Sequence, residues 1–320
     1  IASGGEVHFA CRMEELILER GEVRGVVCSG DRVFHGSVLL ATGHSARDVY
    51  RYLHRAEILI EAKPIAVGVR LEHPQSLIDE IRYHSPEGRG KYLPAAEYVY
   101  KAQAEGRGVY SFCMCPGGFV VPASTGPEET VVNGMSPANR GSRWANSGLV
   151  VELHPEDIPA TGIRVEDPTS PLALMQWCEA FERKSYLAAN RSLRAPAQRM
   201  TDFVSRRHSS TLPSSSYTMG LTSSDLHEWM PDFITRRLSA GFRAFDRTTR
   251  GFLTGEAQLI GVESRTSSPV RIPRDRITYA HPVVAGLYPA GEGAGFAGGI
   301  VSAAIDGENA AQQIALALGR

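Results

Sequence analysis

The spacing of apolar and polar positions divides the chain into three stretches. Residues 6–43 read as β structure. Val7-His8-Phe9 and the runs 13–18, 23–28 and 32–35 are short and rich in β-branched residues, with turns at Glu19-Arg20-Gly21-Glu22 and Ser29-Gly30-Asp31. Glycine-containing turns between such runs predict a meander. Residues 37–43 then form an apolar strand ending in Ala41-Thr42-Gly43, and a helix is expected from Asp48 to Leu53. From 64 to about 265 the rhythm changes. Strand-like pieces (65–71, 109–114, 118–121, 130–133, 149–153) alternate with turns rich in Gly, Pro and Asn, and helices are expected within 168–186 and 226–245. The Ser-rich stretch 205–216 reads as a mobile loop.

The third stretch carries the most specific pattern. Residues 283–288 are an apolar strand running into Pro289-Ala290-Gly291-Glu292-Gly293-Ala294-Gly295-Phe296-Ala297-Gly298-Gly299-Ile300, which opens a helix of small residues. Glycines let backbone N–H groups approach a ligand without interference from a β-carbon, and a helix start adds partial positive charge. Gly293 to Gly298 matches G-x-G-x-x-G, but a first-strand dinucleotide site requires a further strand with an acidic residue about 20 positions on. No such strand follows here. One reading is a turn that only packs a helix on a sheet; the other is the closing motif of an FAD-binding domain, with the helix start facing the flavin. Ile300, Ala303, Ala304, Ala311, Ile314, Ala315 and Leu318 fall near one face of the final helix, and Gly307 keeps that face thin.

The resulting fold class is α/β with an α+β insertion: a partial, split FAD-binding domain with a β-meander (1–63 and 266–320) around an inserted mixed substrate domain (64–265). A chain of 320 residues with 42% hydrophobic content suits that size. Lys+Arg 34 against Asp+Glu 35 leaves a balanced surface and no electrostatic case for nucleic acid. No apolar run has the length of a membrane span, and the first residues lack the basic start and apolar core of a signal peptide. Five scattered cysteines argue against a disulfide scaffold and for a reducing, cytoplasmic compartment. With no initiator Met and no strand–GxGxxG–helix opening, the chain is expected to begin mid-protein, without the half that holds the ADP part of FAD.

Several segments together resemble the bacterial FAD-dependent dehydrogenases of uncharacterised substrate. More broadly, they resemble split-FAD-domain flavoproteins such as the aminoacetone-oxidase-like and tRNA-modifying relatives. The resemblance covers essentially the whole chain. It is carried by residues 40–48, by Gly68-Val69-Arg70-Leu71-Glu72-His73-Pro74, by Tyr110-Ser111-Phe112-Cys113-Met114-Cys115-Pro116-Gly117-Gly118 and by Asn133-Gly134-Met135-Ser136 with Arg140. Ala195-Pro196-Ala197-Gln198, residues 263–271 and the closing glycine turn complete it. It implies FAD as cofactor, a small-molecule substrate and a dehydrogenase-type reaction passing hydride between substrate and flavin N5, with NAD(P)H a candidate electron donor.

Candidate site residues follow. Thr42 and Gly43 end the Ala-Thr-Gly strand, which lies beside the cofactor in such domains. Gly291, Glu292 and Gly293 match the family position where a carboxylate meets the ribityl chain. Gly298, Gly299 and Ile300 offer N–H groups to the pyrimidine end of the flavin, where reduction places negative charge. Arg265, among Thr266, Ser267 and Ser268, is a candidate guanidinium beside the ring or an acidic substrate; a surface ion pair is the other reading. Cys113 and Cys115, two apart in an extended strand, should face the same side. Buried structural cysteine is the default for them, a thiol pair lining the flavin pocket the alternative, and no metal site is expected. His44, His73 and His281 are candidate acid–base groups by type, and Arg140 and Arg143 could meet a substrate carboxylate. Two other functions remain open: a non-catalytic substrate- or partner-binding fragment that cannot hold FAD alone, and a tRNA-modifying flavoprotein, against which the neutral surface counts.

Overall fold

Alternating apolar residues and glycine turns in the first forty positions produce three antiparallel strands: Met13–Glu19 (β1), Glu22–Cys28 (β2) and Arg32–His35 (β3). Leu16 stands opposite Val26, and Leu16, Val23 and Cys28 turn inward. Val7-His8-Phe9, expected to be extended, lies outside regular strands, with the Phe9 ring in solvent. Val38–Leu40 (β4) leads into helix Arg47–Arg55 (α1), which buries Val49, Tyr50 and Leu53 on one side, and then into Glu61–Ala62 (β5). The computed structural model describes Ala2 and residues 4–319. These residues divide into two units. One comprises Ile1–Lys63, Ser170–Leu172 and Ser267–Arg320; the other comprises Pro64–Thr169 and Ala173–Thr266.

The second unit begins with Ile65–Pro74 (β6) and helix Gln75–Tyr83 (α2). Strands Lys101–Ala104 (β7), Arg107–Cys115 (β8), Phe119–Pro122 (β9), Val132–Met135 (β10) and Trp144–Leu153 (β11) follow. After the short helix Ile158–Thr161 (α3) come Ala173–Ala188 (α4), Ala195–Arg199 (β12), Met200–Val204 (α5) and Leu221–Ser223 (β13). Leu226–Trp229 (α6), Asp232–Thr248 (α7) and Gln258–Glu263 (β14) complete it. Seven strands form one mixed sheet in the order β13-β12-β14-β6-β11-β8-β7, and only the β12–β13 pair is parallel. At its centre β6 and β11 pair without a break from Trp144 opposite Pro74 to Leu153 opposite Ile65.

Both strands are covered on both faces, but the faces differ: one is apolar, whereas the other carries Arg70 and Glu72 of β6 and Asn146 of β11. On one face Val67, Val69, Leu71, Leu149, Val151 and Leu259 meet Trp177 and Phe181 of α4 and Leu238, Phe242 and Phe245 of α7. On the other, Ala195, Ala197 and Ile260 pack with Val120 and Val132 of the β9–β10 hairpin. The Ser-rich stretch 205–216, expected to be mobile, is irregular but tied down. Ser209 Oγ accepts from Arg199 N–H at 3.0 Å and donates to Asp202 at 2.8 Å, while Ser216 Oγ accepts from Val120 N–H at 2.8 Å. Serine hydroxyls that satisfy backbone groups fix an irregular segment as firmly as a ladder does.

The first unit resumes with Val270–Arg271 (β15), antiparallel to β5, then Leu287–Pro289 (β16), parallel to β4, and ends in helix Ile300–Ala317 (α8). The seven-residue apolar face expected for α8 is only partly used. Asp306 and Ala310 are buried and Ala303, Ile314 and Ala315 half-buried, whereas Ile300, Ala304, Ala311 and Leu318 are exposed. The buried side is the one on which Asp306 accepts from Arg274 at 2.9 Å and from Gly291 N–H at 2.7 Å.

Gly68 sits where β6 crosses closest to β11, and a β-carbon there would run into the Leu149 carbonyl. Gly68→Ala should therefore destabilise the protein by about 3 kcal/mol through overpacking. Urea unfolding would show a lower midpoint; an unchanged midpoint would contradict the packing described.

Candidate functional site

Two parallel strands of the first unit end side by side in glycine-containing segments. Beyond β4 the chain continues as Ala41-Thr42-Gly43, and beyond β16 as Ala290-Gly291-Glu292-Gly293; Pro289 stands opposite Leu40, and Ala290 N–H donates to Leu40 O at 3.0 Å. The segments then close on each other. A β-carbon at Gly293 would lie 2.6 Å from the Gly43 carbonyl oxygen, so only glycine fits. Gly291 takes φ +74°, a left-handed conformation that glycine adopts without strain, and its N–H donates to Asp306 Oδ2 at 2.7 Å. Arg274 braces the same carboxylate and also donates to Pro289 O at 2.8 Å. Burial pushes the Asp306 carboxyl up, but the Arg274 guanidinium and the Gly291 N–H outweigh it and hold it below the usual carboxylate range.

The Tyr50 hydroxyl sits behind the turn, 2.8 Å from Gly293 O and 2.9 Å from Ser268 Oγ. Burial raises its pKa to about 12 against the opposing bond from Ser268, so it stays a neutral donor. In front, Thr42 is exposed, and Glu292 and His44 are half-buried with Oε2 and Nε2 3.8 Å apart. Lys63 Nζ donates to Ser267 Oγ at 3.3 Å. Burial and the neighbouring Arg271 push its ammonium down, and Glu292 partly restores it.

Gly299 is the N-cap residue of α8 with extended backbone, and no side chain caps this helix. Ser302 Oγ turns to the Gly299 carbonyl instead, at 2.9 Å. The first-turn N–H groups of α8, those of Ile300, Val301 and Ser302, are thus uncapped, and Gly298, Gly299 and Ile300 beside them are all exposed. The structure therefore brings Thr42 and Gly43 together with Gly291, Glu292 and Gly293, and starts α8 seven residues further on, at Ile300.

Cys113, Cys115 and Arg265 belong to the second unit. The two cysteines do not share a face as expected: Cys113 is exposed and Cys115 buried. A bulge is the reason. Between the pairs Phe112–Gly148 and Cys115–Asn146 strand β8 spends one residue more than β11, and Cys113 takes φ +44°, which breaks the alternation. Arg265 is enclosed by two carboxylates, 2.7 Å from Glu129 and 3.0 Å from Glu182.

Residues 64–266 match the family described as FAD-dependent protein, C-terminal domain-like. An uncharacterized protein of Clostridium beijerinckii is 40% identical over 315 residues, covering 97% of this chain. The chain belongs to this FAD-dependent family. It spans 57% of that relative's length.

The first-unit residues fit a flavin nucleotide in the chemistry they present. An added β-carbon at Gly43, Gly291 or Gly298 would meet no heavy atom within 4 Å, and one at Gly299 only Ser302 Oγ at 3.9 Å, so the glycines leave open space in front of main-chain donors. A hydroxyl at Thr42 and a carboxylate at Glu292 complement a ligand rich in carbonyl, phosphate and hydroxyl groups. Among the described residues no cluster of three or more His, Cys, Asp or Glu could hold a metal ion, and no helix is long and apolar enough to cross a membrane.

Sequence reasoning did not assign roles to several residues that build these sites. Tyr50, Ser268, Arg274 and Asp306 act across large separations and left no local signal. Arg70 did leave one. It interrupts the apolar run of β6, and such an arginine needs buried partners. It finds Glu263 at 3.0 Å, Asn146 at 2.8 Å, the Cys113 carbonyl at 2.7 Å and Cys115 Sγ at 3.2 Å.

The Glu129–Arg265 pair gives this family member an acid dependence. Burial pushes the Glu129 carboxyl up, but the Gly126 and Thr125 N–H groups and Arg265 bring it down to about 2. Its folded value lies below the unfolded one, so its stabilisation is complete above about pH 4.5 and is lost as pH falls toward 2. Glu129→Gln should lower the urea midpoint at about pH 6 and flatten its fall between about pH 4.5 and about pH 2.5. An unaltered slope would show that the pair does not carry it.

Proposed function

We propose that the protein is an FAD-dependent oxidoreductase of dehydrogenase type acting on a small molecule, with NAD(P)H as a candidate electron donor. In this reading residues 1–63 and 266–320 belong to a split FAD-binding domain and residues 64–265 form the substrate domain. The observation that carries it is the pair of parallel strands ending abreast at Gly43 and Gly293 beside a helix start that no side chain caps. Ligands of open parallel sheets bind beyond the carboxyl ends of the strands, where helix starts point.

When bound, FAD would supply hydride acceptance at the flavin ring. The chain's own residues then have distinct tasks. Gly298, Gly299 and Ile300 donate main-chain N–H groups and, with the helix dipole, favour negative charge on the bound ring. Gly43 and Gly291 let the backbone approach closely, and Thr42 and Glu292 bind hydroxyls. His44, beside Glu292, is placed to hold a proton near the mouth. Cys113 is the thiol of its pair open to a substrate, while Arg265, already engaged by two carboxylates, serves as a positioning residue.

FAD titration of the full-length protein, read by quenching of flavin fluorescence, tests this. Gly299→Val places a branched side chain over the open donors, its β-carbon meeting only Ser302 Oγ at 3.9 Å, and should weaken FAD binding by about tenfold or more, a loss of roughly 1.4 kcal/mol. Gly307→Ala, inside the helix, should leave affinity unchanged. Equal affinity in Gly299→Val would remove the helix start from the site.

A further inference from the structure

The second unit holds a cavity of about 260 Å³ whose lining includes Glu72, His73, Arg143, Trp144, Arg199 and Gln258. Its buried groups have acceptor capacity that the protein does not meet. Glu72, 2% exposed, takes hydrogen bonds from Ser216 N–H at 3.0 Å, from the Ser216 hydroxyl and from Gln258 Nε2 at 3.1 Å. Among the described residues no cation pairs with this carboxylate. Gln258 Nε2 also donates to Ser214 O at 3.2 Å. Both its neighbours are acceptors, so the amide cannot be turned over, and Oε1 is left buried with no partner.

The His73 ring is not part of this group, because it lies on the opposite face of the sheet, against the Phe252 ring. Its Nε2 lies 2.9 Å from the Phe252 carbonyl and so carries the hydrogen, which leaves the buried Nδ1 as a lone pair without a donor. Burial, partly offset by that carbonyl, brings the His73 pKa down to about 4, and the ring remains a neutral acceptor at physiological pH. Arg143 is different. It is exposed, its guanidinium lies 4.3 Å from the Trp144 ring centroid, and no carboxylate among the described residues pairs with it. The guanidinium of Arg199, by contrast, is taken up by the Gly255 and Thr211 carbonyls.

A donor-rich end is therefore wanted within and an anionic end at the exposed arginine. Two acidic residues, Glu72 and Glu256, and two basic ones, Arg143 and Arg199, line the cavity, so its charge balances that of a zwitterion. The volume is well above the roughly 30 Å³ that a single water takes and below the roughly 300–1,000 Å³ of pockets for larger ligands. We propose that this cavity binds a small amine-bearing carboxylic acid of the α-amino acid class, its ammonium directed to Glu72 and Gln258 and its carboxylate to Arg143. The site stands on the second unit alone and does not depend on the flavin reading.

Isothermal titration calorimetry of the full-length protein with glycine, L-alanine, L-serine and L-glutamate tests this, with methylammonium and acetate as half-ligands. At least one amino acid should bind saturably, and each half-ligand about tenfold or more weakly than it. Arg143→Ala removes an exposed side chain that stacks on the Trp144 face, so the fold should persist, as circular dichroism would check; amino acid affinity should fall by about tenfold. Glu72→Gln should weaken it further. Absence of binding by all four amino acids, a half-ligand binding as tightly as the best of them, or unchanged affinity in folded Arg143→Ala would each overturn the proposal.

Discussion

The candidate flavin site depends on one close approach. Gly293 packs backbone to backbone against Gly43, at a distance that excludes any β-carbon. That approach continues the β4–β16 pairing past the last ladder bond and holds two turns abreast. The turn at Gly291 is in turn pinned from below by Asp306 and Arg274, and from behind by the Tyr50 hydroxyl. Thr42, the His44–Glu292 pair and the uncapped start of α8 all remain at least partly accessible. A rigid, internally satisfied frame with unspent donors on one side is what preorganised binding requires.

The second unit follows the same logic with a different outcome. Its buried charges are matched: Arg70 with Glu263, and Arg265 with Glu129 and Glu182. Removing one member of such a pair leaves an uncompensated charge, so these arginines anchor the sheet and the segments laid over it. Glu72 differs from these pairs: three hydrogen bonds reach it but, among the described residues, no cation does, and Gln258 Oε1 beside it is one of the unit's buried atoms without a partner.

Local pattern made a good part of this legible. The meander, the Ala-Thr-Gly strand end, the glycine turn and the start of α8 could all be read because glycine turns, strand alternation and helix starts are written in consecutive residues. Strand β8 shows the limit of such reading: one extra residue at a bulge was enough to separate Cys113 from Cys115, and nothing in Phe112-Cys113-Met114-Cys115 announces it. The Ser-rich stretch looked mobile because its partners, Glu72 and Val120, lie far away in sequence. Helix α2 and strand β14 were passed over, and the Tyr50–Gly293 bond joins residues 243 positions apart. The exposed side of α8 was misjudged because helical spacing reports which residues are apolar, not which of them meet a partner.

Amide hydrogen exchange of the full-length protein with and without FAD tests the central claim most directly, because it reads the main-chain donors themselves. The account predicts that FAD slows exchange at the amides from Gly298 to Ser302 and around Gly43 and Gly291, and that a helix of the second unit such as α4 is unaffected. Bound FAD with no protection at the start of α8 would contradict it.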